Sequence, residues 1–168
     1  MNREVQNKWF VMKLIAMSKQ ISKEKLRNMV FMIQKEGRNQ DKTTFNYSFV
    51  KWNVEAYSKE LEQDLRQLDL EGIINHSGEI SLTSKGSRLL ASKKKMIEES
   101  GIHYFMGFYV YTYEDLSLYE LVNYLYKKYE MGRFQNNQEI MEVVHHNELS
   151  NELDALLNGR GLLNKNKK

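Results

Sequence analysis

The residues best suited to chemistry in this chain are recognition residues. Lys59, Gln63, Arg66 and Gln67 recur at three- and four-residue intervals in KELEQDLRQLDL, so a helix would present them on one side. Lysine, arginine and glutamine are side chains that hydrogen-bond base edges and grip phosphates. Their flanks are acidic: between Ser58 and Glu71 five acids (Glu60, Glu62, Asp64, Asp69 and Glu71) stand against two bases, a net charge of −3 that repels a phosphate backbone. Downstream, SKGSRLLASKKK carries Lys85, Arg88, Lys93, Lys94 and Lys95 with no acid among them, the strongest local positive charge and a source of phosphate contacts. Glu142, His145 and His146 form the one grouping with metal-ligand character. Glu142 and His146 share a helix face at i, i+4, but adjacent histidines point about 100° apart on a helix, so the three read as incidental surface residues. His76 and His103 are isolated, and the chain contains no Ser-His-acid grouping, P-loop, GxGxxG or HExxH. Zero cysteines exclude thiol catalysis and thiolate metal sites. The expectation is a non-enzymatic protein without a cofactor.

The elements that must position these residues centre on YSKELEQDLRQLDLEGIINHSGEISLTSKGSRLL, residues 57–90. Ser58 is an N-cap, Leu61, Leu65 and Leu68 mark one buried face, and Gly72 sits where a helix ends in the left-handed conformation. Ile73 and Ile74 begin a strand, Ser77-Gly78 turns it, Ile80 and Leu82 return, and Thr83 caps the next helix, which carries Leu89 and Leu90.

Upstream, residues 5–17 are apolar on most sides and predict a buried helix. Ser22 caps a second, with Ile21 and Leu26 as its hydrophobic staple, Leu26, Met29, Val30 and Ile33 as its inner stripe, and Gly37 as its stop. Lys23, Arg27, Lys35 and Arg38 lie on the other face, as a solvated surface or a phosphate-contacting flank. Phe45, Tyr47 and Phe49 alternate with polar neighbours, which predicts a strand over 45–54, slipped near Val50 to Trp52 and paired with the hairpin. Residues 102–113, IHYFMGFYVYTY, suit a helix or a strand, as core or as a dimer surface. Ser117 and Glu120 form a capping box for a helix reaching Gly132, and a last helix carries Ile140, Met141, Val144, Leu149, Leu153 and Leu156.

At 168 residues, 41% hydrophobic and 28% charged, the composition is that of a globular protein. No apolar run approaches the ~20 residues a bilayer span needs, and the first residues lack a small-residue cleavage site, so a cytoplasmic protein is expected. A net charge of +3 is mildly basic.

A helix with LxxLxxxGII, a short hairpin and Leu82-Thr83-x-x-Gly86 resembles the end of a winged helix as found in PadR- and MarR-type regulators. More specifically, KLIAMSK, ISKEKLRNMVFMIQKEG and FNYSFVKWNVEAYSKELEQDLRQLDLEGII are similar to the SocA-like (Panacea) antitoxin and YwgA-like bacterial families. Tyr57-Ser58 matches the end of their Gly-Pro-Tyr-Ser turn, with Glu55 and Ala56 in place of the glycine and proline. DLSLYELVNYLYKKYE resembles their following helix, with Met131 where they have proline, and the likeness spans residues 10–145. The resemblance implies a small non-enzymatic regulator or toxin-neutralising partner.

The expectation is therefore a mainly α protein with a small β-hairpin or three-stranded sheet. A winged helix-turn-helix fills residues 1–95, and residues 96–168 form a helical extension that packs back or dimerises, ending in a frayed basic tail from about 160. Its expected function is transcriptional regulation through double-stranded DNA. The alternative is an antitoxin-type module holding a protein partner through Glu60, Glu62, Asp64 and Asp69.

Overall fold

A computed structural model describes residues 3–143, and these fold as a mainly helical molecule with two small antiparallel sheets. α1 (Arg3–Met17) and α2 (Lys23–Asn39) form its first layer. Phe10, Val11, Leu14 and Ile15 of α1 and Met29, Val30, Phe31 and Ile33 of α2 belong to one core cluster, each no more than 3% exposed. Ser22 caps α2 by accepting a hydrogen bond from the Lys25 N–H, and Ile21 and Leu26 are buried beside it. The helix does not stop at Gly37. Thr44 packs so closely there that any Cβ would collide with it, so this glycine serves a close approach, and the turn comes at Asp41 with φ +51°.

Residues 44–48 then run through the core without joining a sheet, residues 44–47 being buried. Side chains satisfy their backbone instead. Gln34 donates to the Tyr47 carbonyl (2.7 Å) and accepts from its N–H (2.8 Å), while Asn7 does the same for Asn46 at 3.1 and 2.9 Å. The Ser48 N–H donates to the Glu60 carboxylate at 2.7 Å. Phe45, Tyr47 and Phe49 are buried as their alternation predicts, in an edge-and-stack chain running from Phe10 to Phe31 and Tyr129.

The expected strand is confined to β1 (Phe49–Trp52), and its partners are not the hairpin of residues 74–82. β1 lies between β2 (Glu55–Tyr57) and a distant strand at Glu139–Met141, with a register slip at Phe49/Val50. Asn53, at φ +55°, makes the tight turn from β1 to β2. Residues 55–57 are thus strand, and Ser58 begins α3 (Lys59–Leu70), its side chain accepting from the Leu61 N–H.

Gly72, at φ +67°, ends the α3 region, and the chain enters the β3 (Ile74–Asn75) and β4 (Ser81–Leu82) hairpin. That hairpin is anchored by the Ile80 N–H on the Ile21 carbonyl at 2.8 Å, so the loop between α1 and α2 takes the place expected for the aromatic strand. Thr83 then caps α4 (Ser84–Ser92) and donates to the Gly72 carbonyl. Gly86 is the close-approach residue of Leu-Thr-x-x-Gly: a Cβ there would strike the Ile73 carbonyl.

α5 (Lys94–Glu99), α6 (Ile102–Tyr113) and α7 (Leu118–Lys128) follow. Ile97, Ile102, Met106, Leu121 and Leu125 join the same buried cluster as α1 and α2, so α5, α6 and α7 pack back on them. Residues 102–113 are helix. α7 begins with the expected Ser117/Glu120 capping box but ends at Lys128, because Glu130 adopts φ +50° and a 3-10 turn covers Met131–Arg133. Ile140 and Met141, expected in a last helix, form β5 (Glu139–Met141), where both are buried against the sheet. The remainder of that expected helix, His145, His146 and the basic tail lie outside the described residues.

Candidate nucleic-acid interface

Leu61, Leu65 and Leu68 bury the inner face of α3 at no more than 2% exposure, and this fixes what faces out. Lys59, Gln63 and Arg66 are exposed at i, i+4 and i+7, and Leu70, 78% exposed, continues the stripe by one turn. Gln67 is exposed on the flank and already engaged. Its carbonyl oxygen accepts from Lys8 of α1 at 2.6 Å, and its amide donates to Glu71 at 2.8 Å.

The acids beside this stripe do not form a free negative wall. Glu62 is paired with Lys23 and, at 3.2 Å, with Arg27, which also holds Glu55 at 2.7 Å. Asp64 accepts from the Tyr47 hydroxyl at 2.7 Å and lies 3.7 Å from Lys8. Burial, and then the Asp64 charge, push the Tyr47 phenol well above its ordinary range, so it stays a donor. Glu60 is the acceptor for Ser48 described above. Three acids read as groove-wall repulsion or as a partner-binding flank are thus tied into the fold, and Lys8, Lys23 and Arg27 bring the patch close to neutral. Asp69 is the exposed acid of the four named for partner binding. Lys23, Arg27 and Arg38 are correspondingly spent as a phosphate flank, Arg38 donating to Asn46 and to the Glu142 carbonyl.

The basic run is divided as well. Lys85 donates to the Glu71 carbonyl at 2.7 Å, beside the negative end of the α3 dipole, which places it near the C-terminal end of the exposed α3 stripe. Arg88 is exposed one turn further along α4. Lys93 lies over the Trp9 ring at 5.6 Å, and Lys94 and Lys95 face Glu98 and Glu99 at 3.8 Å. Those two exposed i, i+4 pairs are weak, so a polyanion could compete for the lysines.

A second group of perturbed side chains lies where α2, α6 and α7 meet. Burial pushes the Tyr129 phenol far up, reinforced by its hydrogen bond to Glu36, and burial with the Tyr124 hydroxyl at 2.9 Å raises Tyr113 to about 12. Burial also works to raise the Glu36 carboxyl, but Tyr129 and the Lys128 ammonium at 2.9 Å outweigh it and hold the carboxyl below its usual range. This cluster docks α7.

Among the described residues, open clefts of about 480 and 500 Å³ flank the helices. In the second, the Ser22 and Ser117 hydroxyls cap helices and Lys25 donates to the Glu114 and Leu116 carbonyls. Among the described residues no three His, Asp or Glu side chains come together as metal ligands, and no helix is long and apolar enough to cross a membrane.

Sequence reasoning missed Leu70 and Lys8. Leu70 was legible as an apolar residue off the Leu61, Leu65, Leu68 stripe; Lys8 was not, since its partners are more than fifty residues away. Comparison with protein-family models, curated proteins and solved structures finds no match for this chain.

Proposed function

We propose that the protein is a non-enzymatic, cytoplasmic regulator of the winged-helix type, binding double-stranded DNA with α3 in the major groove. Lys59, Gln63 and Arg66 read base edges, Leu70 meets a thymine methyl, and Lys85 and Arg88 hold the adjacent phosphates. The supporting observation is that Glu62 and Asp64 are held by Lys23, Arg27 and Lys8, while Lys59, Gln63 and Arg66 stand exposed. This reduces the electrostatic penalty that the local sequence carries. The succession of α3, hairpin and Thr83-capped α4 is also that of a recognition helix and wing, although the β1–β2 hairpin separates α2 from α3. Titration of a labelled duplex from the upstream region, against an unrelated duplex of equal length, tests this reading. Selective, salt-sensitive binding is expected; equal affinity for both duplexes would refute it.

A second reading, an antitoxin-like module for a protein partner, is favoured by Trp52 and Val54. They are 51% and 53% exposed around the β1–β2 turn. Asp69 is the clean acidic probe for it, because Glu62→Lys would break an internal ion pair. Loss of a co-purifying partner on Trp52→Ala, with DNA binding absent, would establish this reading instead.

A further inference from the structure

We propose that the cleft bounded by α1, β4, α4, α5 and the start of α6 binds a free aliphatic monocarboxylate. Its volume of about 480 Å³ falls in the range of small-molecule sites. Its apolar walls are Ala16 of α1, Leu82 of β4, Leu90 and Ala91 of α4, and Ile97 of α5, which is 2% exposed. Apart from the Ser87 hydroxyl, the polar side chains of the lining are Lys13, Lys94, Glu98 and His103.

Charge, available donors and wall chemistry together select this ligand. The charged side chains are two ammonium groups against one carboxylate, so the cleft has one positive charge in excess, which a single carboxylate neutralises. Both lysines are available to it. Lys13 is half-buried and has no hydrogen-bond or ion-pair partner among the described residues, and Lys94 faces Glu98 at 3.8 Å in an exposed pair of little strength. His103 brings an Nδ1 that is buried without a hydrogen-bond partner, and a small turn of its ring toward a bound carboxylate would satisfy it. The walls are aliphatic, with no Phe, Tyr or Trp to stack on an aromatic ring, so the body of the acid is a hydrocarbon chain. An inorganic anion would leave those walls uncovered. The inference does not rest on nucleic-acid binding.

Isothermal titration of the full chain with sodium octanoate tests it. One octanoate per chain is expected, with a submillimolar Kd. Binding should be at least tenfold weaker for octanol and octylammonium, which lack the carboxylate, and for phenylacetate, which has as many carbons but an aromatic body. Lys13→Met keeps the stem, removes the charge and should weaken octanoate binding by about fivefold. Ala91→Trp, at an exposed position of α4, fills the cleft and should abolish binding with unchanged far-UV circular dichroism. No binding at millimolar octanoate, octanol or phenylacetate binding as tightly as octanoate, or an affinity untouched by Lys13→Met or by a folded Ala91→Trp variant would overturn the proposal.

Discussion

Gln34 shows what a single side chain contributes to this fold. It lies on α2 fully buried, and its amide does for Tyr47 what a neighbouring strand would do. Gln34→Leu keeps the volume but leaves a buried N–H and carbonyl unsatisfied, so a loss of about 2–4 kcal/mol is expected in urea unfolding. A loss under about 0.5 kcal/mol would mean that this pairing is dispensable. Nothing in the sequence marked the role: a glutamine in an amphipathic helix reads as surface, and its partner is thirteen residues away. Asn7 was hidden for the same reason. The outward residues of α3 were legible, because the leucine spacing alone determines which side they take. Arg66→Ala and Gln63→Ala should each weaken the cognate complex by about 1–3 kcal/mol and leave binding to unrelated duplexes nearly unchanged, measured by anisotropy.

At the scale of elements, caps were legible and strand partners were not. Ser22, Ser58, Thr83 and Ser117 all cap the helices their sequence contexts predict, since a cap depends on residues three positions away. β1 found β5 instead of the hairpin, a pairing across ninety residues that no local pattern encodes. Gly86→Ala tests the contact between α4 and Ile73, the residue that leads into β3. It should lower stability by about 1–3 kcal/mol, because the new methyl meets the Ile73 carbonyl, whereas Gly→Ala at an unobstructed helical site stabilises. The docking of α7 carries a pH signature. The Glu36 carboxyl is depressed in the folded state, so its contribution is present above the unfolded carboxyl value of about 4.5 and is lost as pH falls through the folded one. Lys128 is raised despite the desolvation that opposes it, through its bond to Glu36, and its contribution is lost as pH rises through its folded value above 10.5. Tyr129 and Tyr113 keep their protons when folded but ionise near 10 when unfolded, so stability also falls above that pH. Thermal melts across pH should show a plateau bounded near these values, and Glu36→Gln should flatten the acid limb. An unchanged acid limb in that variant would contradict the assignment.

For the molecule as a whole, the buried residues from Phe10 to Met141 form one cluster, and β5 returns the chain to the sheet that leads into α3. The helical class followed from composition and periodicity, whereas this closure depends on contacts between distant segments. The net charge of +3 is too small to drive polyanion binding by itself, so the proposed DNA binding would depend on the placement of charge. That placement is where sequence and structure diverge: −3 along α3 in the sequence becomes a patch balanced by Lys8, Lys23 and Arg27 from other helices. The most direct measurement is anisotropy of a labelled upstream duplex at several salt concentrations, with wild type and with a Lys85→Ala/Arg88→Ala variant. Selective binding whose affinity falls steeply with salt is expected, with a slope smaller by roughly two in the variant, one for each phosphate no longer neutralised. Selective binding with a flat salt response, or no preference for the upstream duplex at low salt, would contradict it.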